Sequence, residues 1–180
     1  MTELTLKALQ VLDDTRFRYG NSPERRGTMA PASKDCCYYN PVTGARCAVG
    51  ALFDQWKVRS LTIEQWEELN ELTPIYDEVR RMLDEKYRDL PFTFLTLLQR
   101  WHDAGANFTE TGMTDRGERG LRVIGLILTE VGAEEMDTME HELVRLYVKL
   151  TIDGYAFINY PTDQAVLDAV HNFATSTIKS

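Results

Sequence analysis

A mainly helical domain with one or two small β-hairpins is the fold class this sequence predicts. Three observations predict it. Apolar residues recur near a 3.6-residue period along most of the chain, first at Leu6, Leu9, Leu12 and Phe17. Helix-start signals stand at Thr62 with Gln65, at Thr73-Pro74 and at Thr162. Strand-like patterns are confined to two short stretches, each holding a turn signal, at 36–47 and 144–160.

The elements follow in order. Residues 4–17 predict an amphipathic helix. Gly20 to Asp35 follows as a long polar loop with Pro and Gly punctuation, carrying Arg25 and Arg26. Structureless loops of that length are uncommon and are often functional. Next, Tyr38-Tyr39 favours strand, and Asn40-Pro41 with Gly44 favours a turn. This predicts a hairpin with its tip at Pro41 to Thr43. With Asn40 opposite Gly44, Cys37 would face Cys47, a pairing that a one-residue shift of register would break.

A helix is expected over 47–57, where Ala48, Gly50 and Ala51 permit close backbone approach and Leu52, Phe53 and Trp56 supply bulk. The Thr62/Gln65 capping box starts a helix through Leu72. Thr73 and Pro74 then read as N-cap and first residue of a helix striped with Ile75, Val79, Met82 and Leu83. Pro91 precedes a helix over 92–104 bearing Leu95, Leu98 and Trp101, with Gly105 as its stop. A further helix runs from Asp115 to Val131 and ends at Gly132.

Two periods compete after residue 135. Met136, Met139, Leu143, Leu146 and Leu150 suit a helix. Val144, Leu146, Val148, Leu150 and Ile152 also alternate with polar neighbours, and Asp153-Gly154 is a hairpin dipeptide. The expected result is a helix start near 137 giving way to a β-hairpin over 144–160. Thr162 caps a last helix, with Val166, Leu167, Val170 and Phe173 inward. Residues 1–132 are thus expected to form a helical core with the Cys-Tyr-Tyr hairpin, and 133–180 a C-terminal extension packed on the same domain.

Composition narrows the function. The 180 residues suit one domain, and the formal net charge of −8 disfavours broad nucleic-acid binding. No apolar run approaches the roughly 18 residues of a membrane span, so no membrane partner is expected. The N-terminus lacks the basic-then-apolar pattern of a signal peptide, which points to a cytoplasmic location. The acid-rich stretch Glu64, Glu67, Glu68, Glu71, Asp77 and Glu78 reads as the solvated face of two helices. Three cysteines, Cys36, Cys37 and Cys47, cluster within twelve residues; the odd count disfavours a disulfide framework, and all three are expected reduced.

Chemistry concentrates around Cys47. A cysteine at a predicted helix N-terminus beside Arg46 has two features that favour thiolate. A thiol enzyme also needs a base, and His102 beside Asp103 is the candidate, giving a possible set of Cys47 as nucleophile, His102 as base and Asp103 as orienter. The competing reading is structural, because free cysteine is usually a small buried hydrophobe. Zinc on Cys37, Cys47 and His102 is a further reading, but nine residues separate the two cysteines and a fourth ligand is not obvious. No metal or cofactor is therefore expected. For a ligand, Arg116 and Arg119 share a helix face able to grip phosphate or carboxylate, with Gly117 and Gly120 permitting close approach of an anion. Tyr38 and Tyr39 offer stacking surface, although adjacent strand residues point oppositely and one should be core. Arg25, Arg26 and Arg46 supply local positive charge.

The segments Cys37-x-Tyr39, Gly44-x-Arg46-Cys47-Ala48-Val49-Gly50-x-Leu52 and Leu98-Gln99-x-x-His102-Asp103 together resemble an uncharacterised family of small phage and prophage proteins. The resemblance covers residues 1–132. It implies a phage-borne protein in the host cytoplasm and groups Cys37, Cys47, His102 and Asp103 as a set, without assigning them an activity. The expected function is an accessory protein acting by binding, either inhibiting a host or defence protein or sequestering a small anionic ligand. The alternatives are the Cys47/His102 hydrolase or transferase and a zinc-stabilised interaction module.

Overall fold

A computed structural model describes residues 1–20, 37–151, 159–160 and 162–177. Its helices are α1 (Glu3–Gly20), α2 (Gln55–Ser60), α3 (Ile63–Asn70), α4 (Asp77–Met82), α5 (Phe92–Asp103), α6 (Asp115–Val131), α7 (Glu140–Thr151) and α8 (Asp163–Thr177). Short 3-10 turns lie at Gly50–Leu52, Gly105–Asn107 and Ala133–Met139. The mainly helical class holds. The polar loop, Cys36, Arg25, Arg26 and the Asp153-Gly154 turn lie outside the described residues.

Helix α6 is the hub, packing against α1, α5, α7 and α8. Thr114 caps its start by accepting from the Gly117 amide at 3.2 Å, and Gly132 ends it at φ +89°. Its buried row Leu121, Ile124, Leu128 and Val131 faces the core. Gly117 and Gly120 admit neighbouring protein atoms, not an anion. A Cβ on Gly120 would stand 2.7 Å from the Trp101 ring, and one on Gly117 would stand 2.5 Å from the Asn107 carbonyl oxygen. The Trp101 indole N–H donates to the Gly117 carbonyl at 2.8 Å, which fixes α5 across α6. One continuous apolar cluster runs from Ala8 in α1 to Ala174 in α8.

Residues 37–90 form a second set of contacts on this core. Asp54 caps α2 through the Trp56 and Lys57 amides, and the Thr62/Gln65 capping box is present in full. Phe53 stacks on Trp66, tilts against Tyr38 and pairs by one antiparallel bridge with Leu83.

Several expectations fail for identifiable reasons. The hairpin over 144–160 is overturned by α7, which runs unbroken from Glu140 through Thr151. Leu143, Leu146, Tyr147 and Leu150 are buried at i, i+3, i+4 and i+7 against α6, so the 3.6 period prevails over the alternation. The first hairpin reduces to a turn closed by one bridge, Tyr39 with Arg46. Asn40 pairs with Ala45, its amide donating to that carbonyl at 2.9 Å, so the register is one residue off the expected one and Cys37 does not face Cys47. The turn is set by the Asn40 side chain accepting from Val42 and Thr43 and by Gly44 at φ +73°.

The helix expected over 47–57 is also absent. The chain makes a turn and a short 3-10 segment, then extends at Phe53 to pair with Leu83. Trp56 is consequently 81% exposed. Thr73-Pro74 forms a turn, Tyr76 N–H to Thr73 carbonyl at 3.1 Å, and α4 begins only at Asp77, leaving Ile75 outside. In α1 the buried face is Thr5, Ala8, Val11, Leu12, Thr15 and Tyr19, and Phe17 is 88% exposed. Thr5 earns its buried place by accepting from the Ala133 amide at 2.9 Å.

Candidate functional site

Two turns of α5 and the segment after Gly44 meet at Cys47. The Cys47 amide donates towards the Cys37 and Tyr38 carbonyls at 3.2 and 3.3 Å. Asn70, at the end of α3, holds the other strand of the turn: its side chain accepts from the Tyr38 amide at 2.7 Å and donates to the Tyr39 carbonyl at 3.1 Å. Cys47 Sγ is fully buried. It accepts from the Gly50 amide at 3.1 Å and donates to Gln99 Oε1 at 3.2 Å. The Gln99 amide nitrogen donates in turn to both Asp103 oxygens, at 3.0 and 3.2 Å, and Asp103 Oδ1 lies 3.5 Å from His102 Nδ1.

A chain of contacts thus runs Cys47–Gln99–Asp103–His102. Its central member, Gln99, was visible as the i−4 partner of Asp103 but carried no role at the sequence level. The polarity of the chain matters. A glutamine amide cannot take a proton at neutral pH, and it occupies the position on Sγ that a general base would need. Cys47 does not start an α-helix, and the Arg46 guanidinium turns away to Gln55 Oε1 at 2.9 Å and over the Tyr39 ring. The Arg46 charge is therefore directed elsewhere, while the Gly50 amide remains on Sγ. His102 is fully buried among the rings of Tyr19, Phe108 and Trp101, with centroids 5.3, 6.1 and 6.4 Å away. Tyr19 also donates to the Arg46 carbonyl at 2.8 Å, tying α1 to the Cys47 turn.

Cys37 and Cys47 are free thiols. Burial, then the neighbouring Cys47, pushes the Cys37 thiol up to about 11, with its backbone hydrogen bond acting weakly the other way. The fold prefers the neutral thiol, so this stabilisation is complete below the ordinary value of 9.0 and is lost as pH rises through about 11. Melting curves of the parent and of Cys37→Ala should therefore converge between these two pH values. A constant difference across that window would show that Cys37 titrates alike in the folded and unfolded chain and that burial does not raise it. Among the described residues, no three His, Cys, Asp or Glu side chains gather as a metal site.

Asp103 is the exposed member of this series of contacts and lines a cleft of about 330 Å³. Arg100, Ala104 and Asn107 line one side of it, Arg116 stands on α6, and Tyr147, Val148 and Thr151 come from α7. Burial drives the Tyr147 phenol above its ordinary value, while the Thr151 hydrogen bond and then the Arg116 and Arg100 charges act against that shift. Both guanidinium groups therefore act electrostatically on the same phenol. Two cations and one carboxylate leave the cleft with a net positive charge on an acidic protein.

The other expected ligand residues scatter. Arg119 leaves Arg116: its Nε and terminal nitrogen donate to the Leu150 and Tyr160 carbonyls at 2.9 and 2.6 Å, clasping the end of α7. Tyr38 is core, with its hydroxyl donating to the Leu72 carbonyl at 2.7 Å, and Tyr39 packs on Trp66. Sequence reasoning missed Arg100, Asn107, Tyr147 and Thr151. The i, i+4 pair of Tyr147 and Thr151 was hidden by the strand reading of that segment. No family model, curated protein or solved structure matches the chain. Among the described residues, no helix is long and apolar enough to cross a membrane.

Proposed function

We propose that the protein works by binding, and that its ligand is a small anion seated between Arg100 and Arg116. The observation that carries this reading is the cleft that brings both guanidinium groups beside Tyr147 and Thr151. Arginine forks suit phosphate and carboxylate oxygens, and the partial enclosure by α5, α6 and α7 strengthens charge-assisted bonds. Asp103 at the same mouth favours an anion that also carries a hydroxyl or amino donor, as nucleotides do. In the phage setting implied by the motifs, such a protein sequesters a small host molecule instead of transforming it. The Cys47–Gln99–Asp103 chain supports this division: it couples the core to the cleft wall while leaving the thiol buried and engaged.

Calorimetric titration with pyrophosphate and adenosine monophosphate, followed by chromatography of the recovered ligands, tests the reading. Binding of at least one probe with both recovered intact is the expected result. Conversion of either probe, abolished by Cys47→Ser, would favour the thiol enzyme. The absence of heat with both probes would remove the anion cleft as the functional site.

A further inference from the structure

The acid-rich face on α3 and α4 has a second property that its charge alone does not explain. Between these helices lies a groove of about 590 Å³ with a floor of Leu61, Leu69, Leu72 and Met82 and a wall formed by Tyr76. Tyr76 is 49% exposed, and Ile63 and Ile75 nearby in sequence are more exposed still. Large apolar side chains left open next to an apolar groove mark an interaction surface.

Charge identifies the kind of partner. Glu68 and Glu78 line the groove, with Arg81 as the cation among its lining residues. Glu64, Glu67, Glu71 and Asp77 are exposed on the same two helices and their connection, and the stretch from Leu61 to Glu78 holds no Lys or Arg. Among the described residues, none of these six carboxylates forms an ion pair. A solvated face would need the carboxylates but not the groove, and a small-ligand pocket would need the groove but not the carboxylates Glu68 and Glu78 at its edges.

We infer that this surface receives an amphipathic helix of a partner protein, with its apolar stripe in the groove and lysines or arginines along its flanks. Helices docked in grooves are held by apolar residues at i, i+3 or i+4, and i+7, which suits a groove running beside helices of two turns. The flanking cations would meet Glu68 on one helix and Glu78 on the other, steering encounter and setting orientation. The site is separate from the arginine cleft in residues and in sign of charge, so either can stand without the other.

The probe is a fluorescein-labelled peptide of roughly 18 residues with leucine at helical spacing and lysine elsewhere, read by anisotropy on the full chain. A scrambled peptide of the same composition measures attraction by charge alone. Glu68→Gln with Glu78→Gln, and separately Tyr76→Ala, should each weaken the amphipathic peptide by about tenfold or more. Asp13→Asn with Asp14→Asn removes the same charge from α1 and should change binding by less than about twofold. Circular dichroism of each variant checks that the helices persist. Equal binding of the scrambled peptide, equal weakening by the two charge-removing pairs, or a micromolar dimer of this chain that Tyr76→Ala dissociates would overturn the proposal.

Discussion

Replacing Gly50 by alanine is expected to destabilise the protein by about 3 kcal/mol, which lowers the melting temperature of a chain this long by roughly 6–12 °C. A Cβ at this position would stand 1.8 Å from the Tyr38 carbonyl oxygen, 2.6 Å from its carbonyl carbon and 2.9 Å from its Cα. All three are backbone atoms, so no side chain can swing aside. Relief requires the turn after Cys47 to part from the Tyr38 segment. That motion stretches the Cys47 amide bonds to Cys37 and Tyr38 and withdraws the Gly50 N–H from Cys47 Sγ. The Asn70 clasp on Tyr38 and Tyr39 opposes it from the other side. Gly105→Ala is the matched control, because nothing lies within 4 Å of its added carbon. A Gly50→Ala protein melting within about a degree of the Gly105→Ala protein would contradict the packing described here.

Arg100→Gln combined with Arg116→Gln is expected to weaken pyrophosphate binding by about a hundredfold. Each lost charge-assisted bond is worth about 1.5–3 kcal/mol, and two together exceed that factor. The fold should survive, since Arg100 is exposed and Arg116 half-buried at the cleft wall. Arg119→Gln supplies the contrast. It removes the bonds to the Leu150 and Tyr160 carbonyls and should lower stability by about 2 kcal/mol while leaving affinity within about threefold. Added salt should weaken binding in the parent and have little effect in the double variant. Equal loss of affinity in the Arg119 variant would restore the pairing of Arg116 with Arg119 that the helix face suggests.

How far these features are legible in the sequence depends on the range of the interactions. The start of α3 is readable because the Thr62/Gln65 box satisfies its own backbone donors within four residues, and the end of α6 because Gly132 takes a positive φ. The course of residues 47–57 is not, because the bridge from Phe53 to Leu83 spans thirty positions and overrides local helix preference. In α7 the alternation of Val144, Leu146, Val148 and Leu150 is real, but α6 offers a helix groove and no strand edge. Around Cys47, the link to Asp103 passes through Gln99 and requires the Cys47 turn to lie against α5, a packing that the motif spacing does not encode. The cleft was the least legible feature, since its lining comes from residues 100–151 on three helices whose packing no local pattern encodes.

Titration of Cys47→Ser with pyrophosphate, beside the parent and the double arginine variant, bears most directly on binding without turnover. Cys47→Ser is expected to bind within about twofold of the parent, the double arginine variant to lose about a hundredfold, and no orthophosphate to be released by any of the three. Orthophosphate released by the parent and absent with Cys47→Ser would contradict binding without turnover.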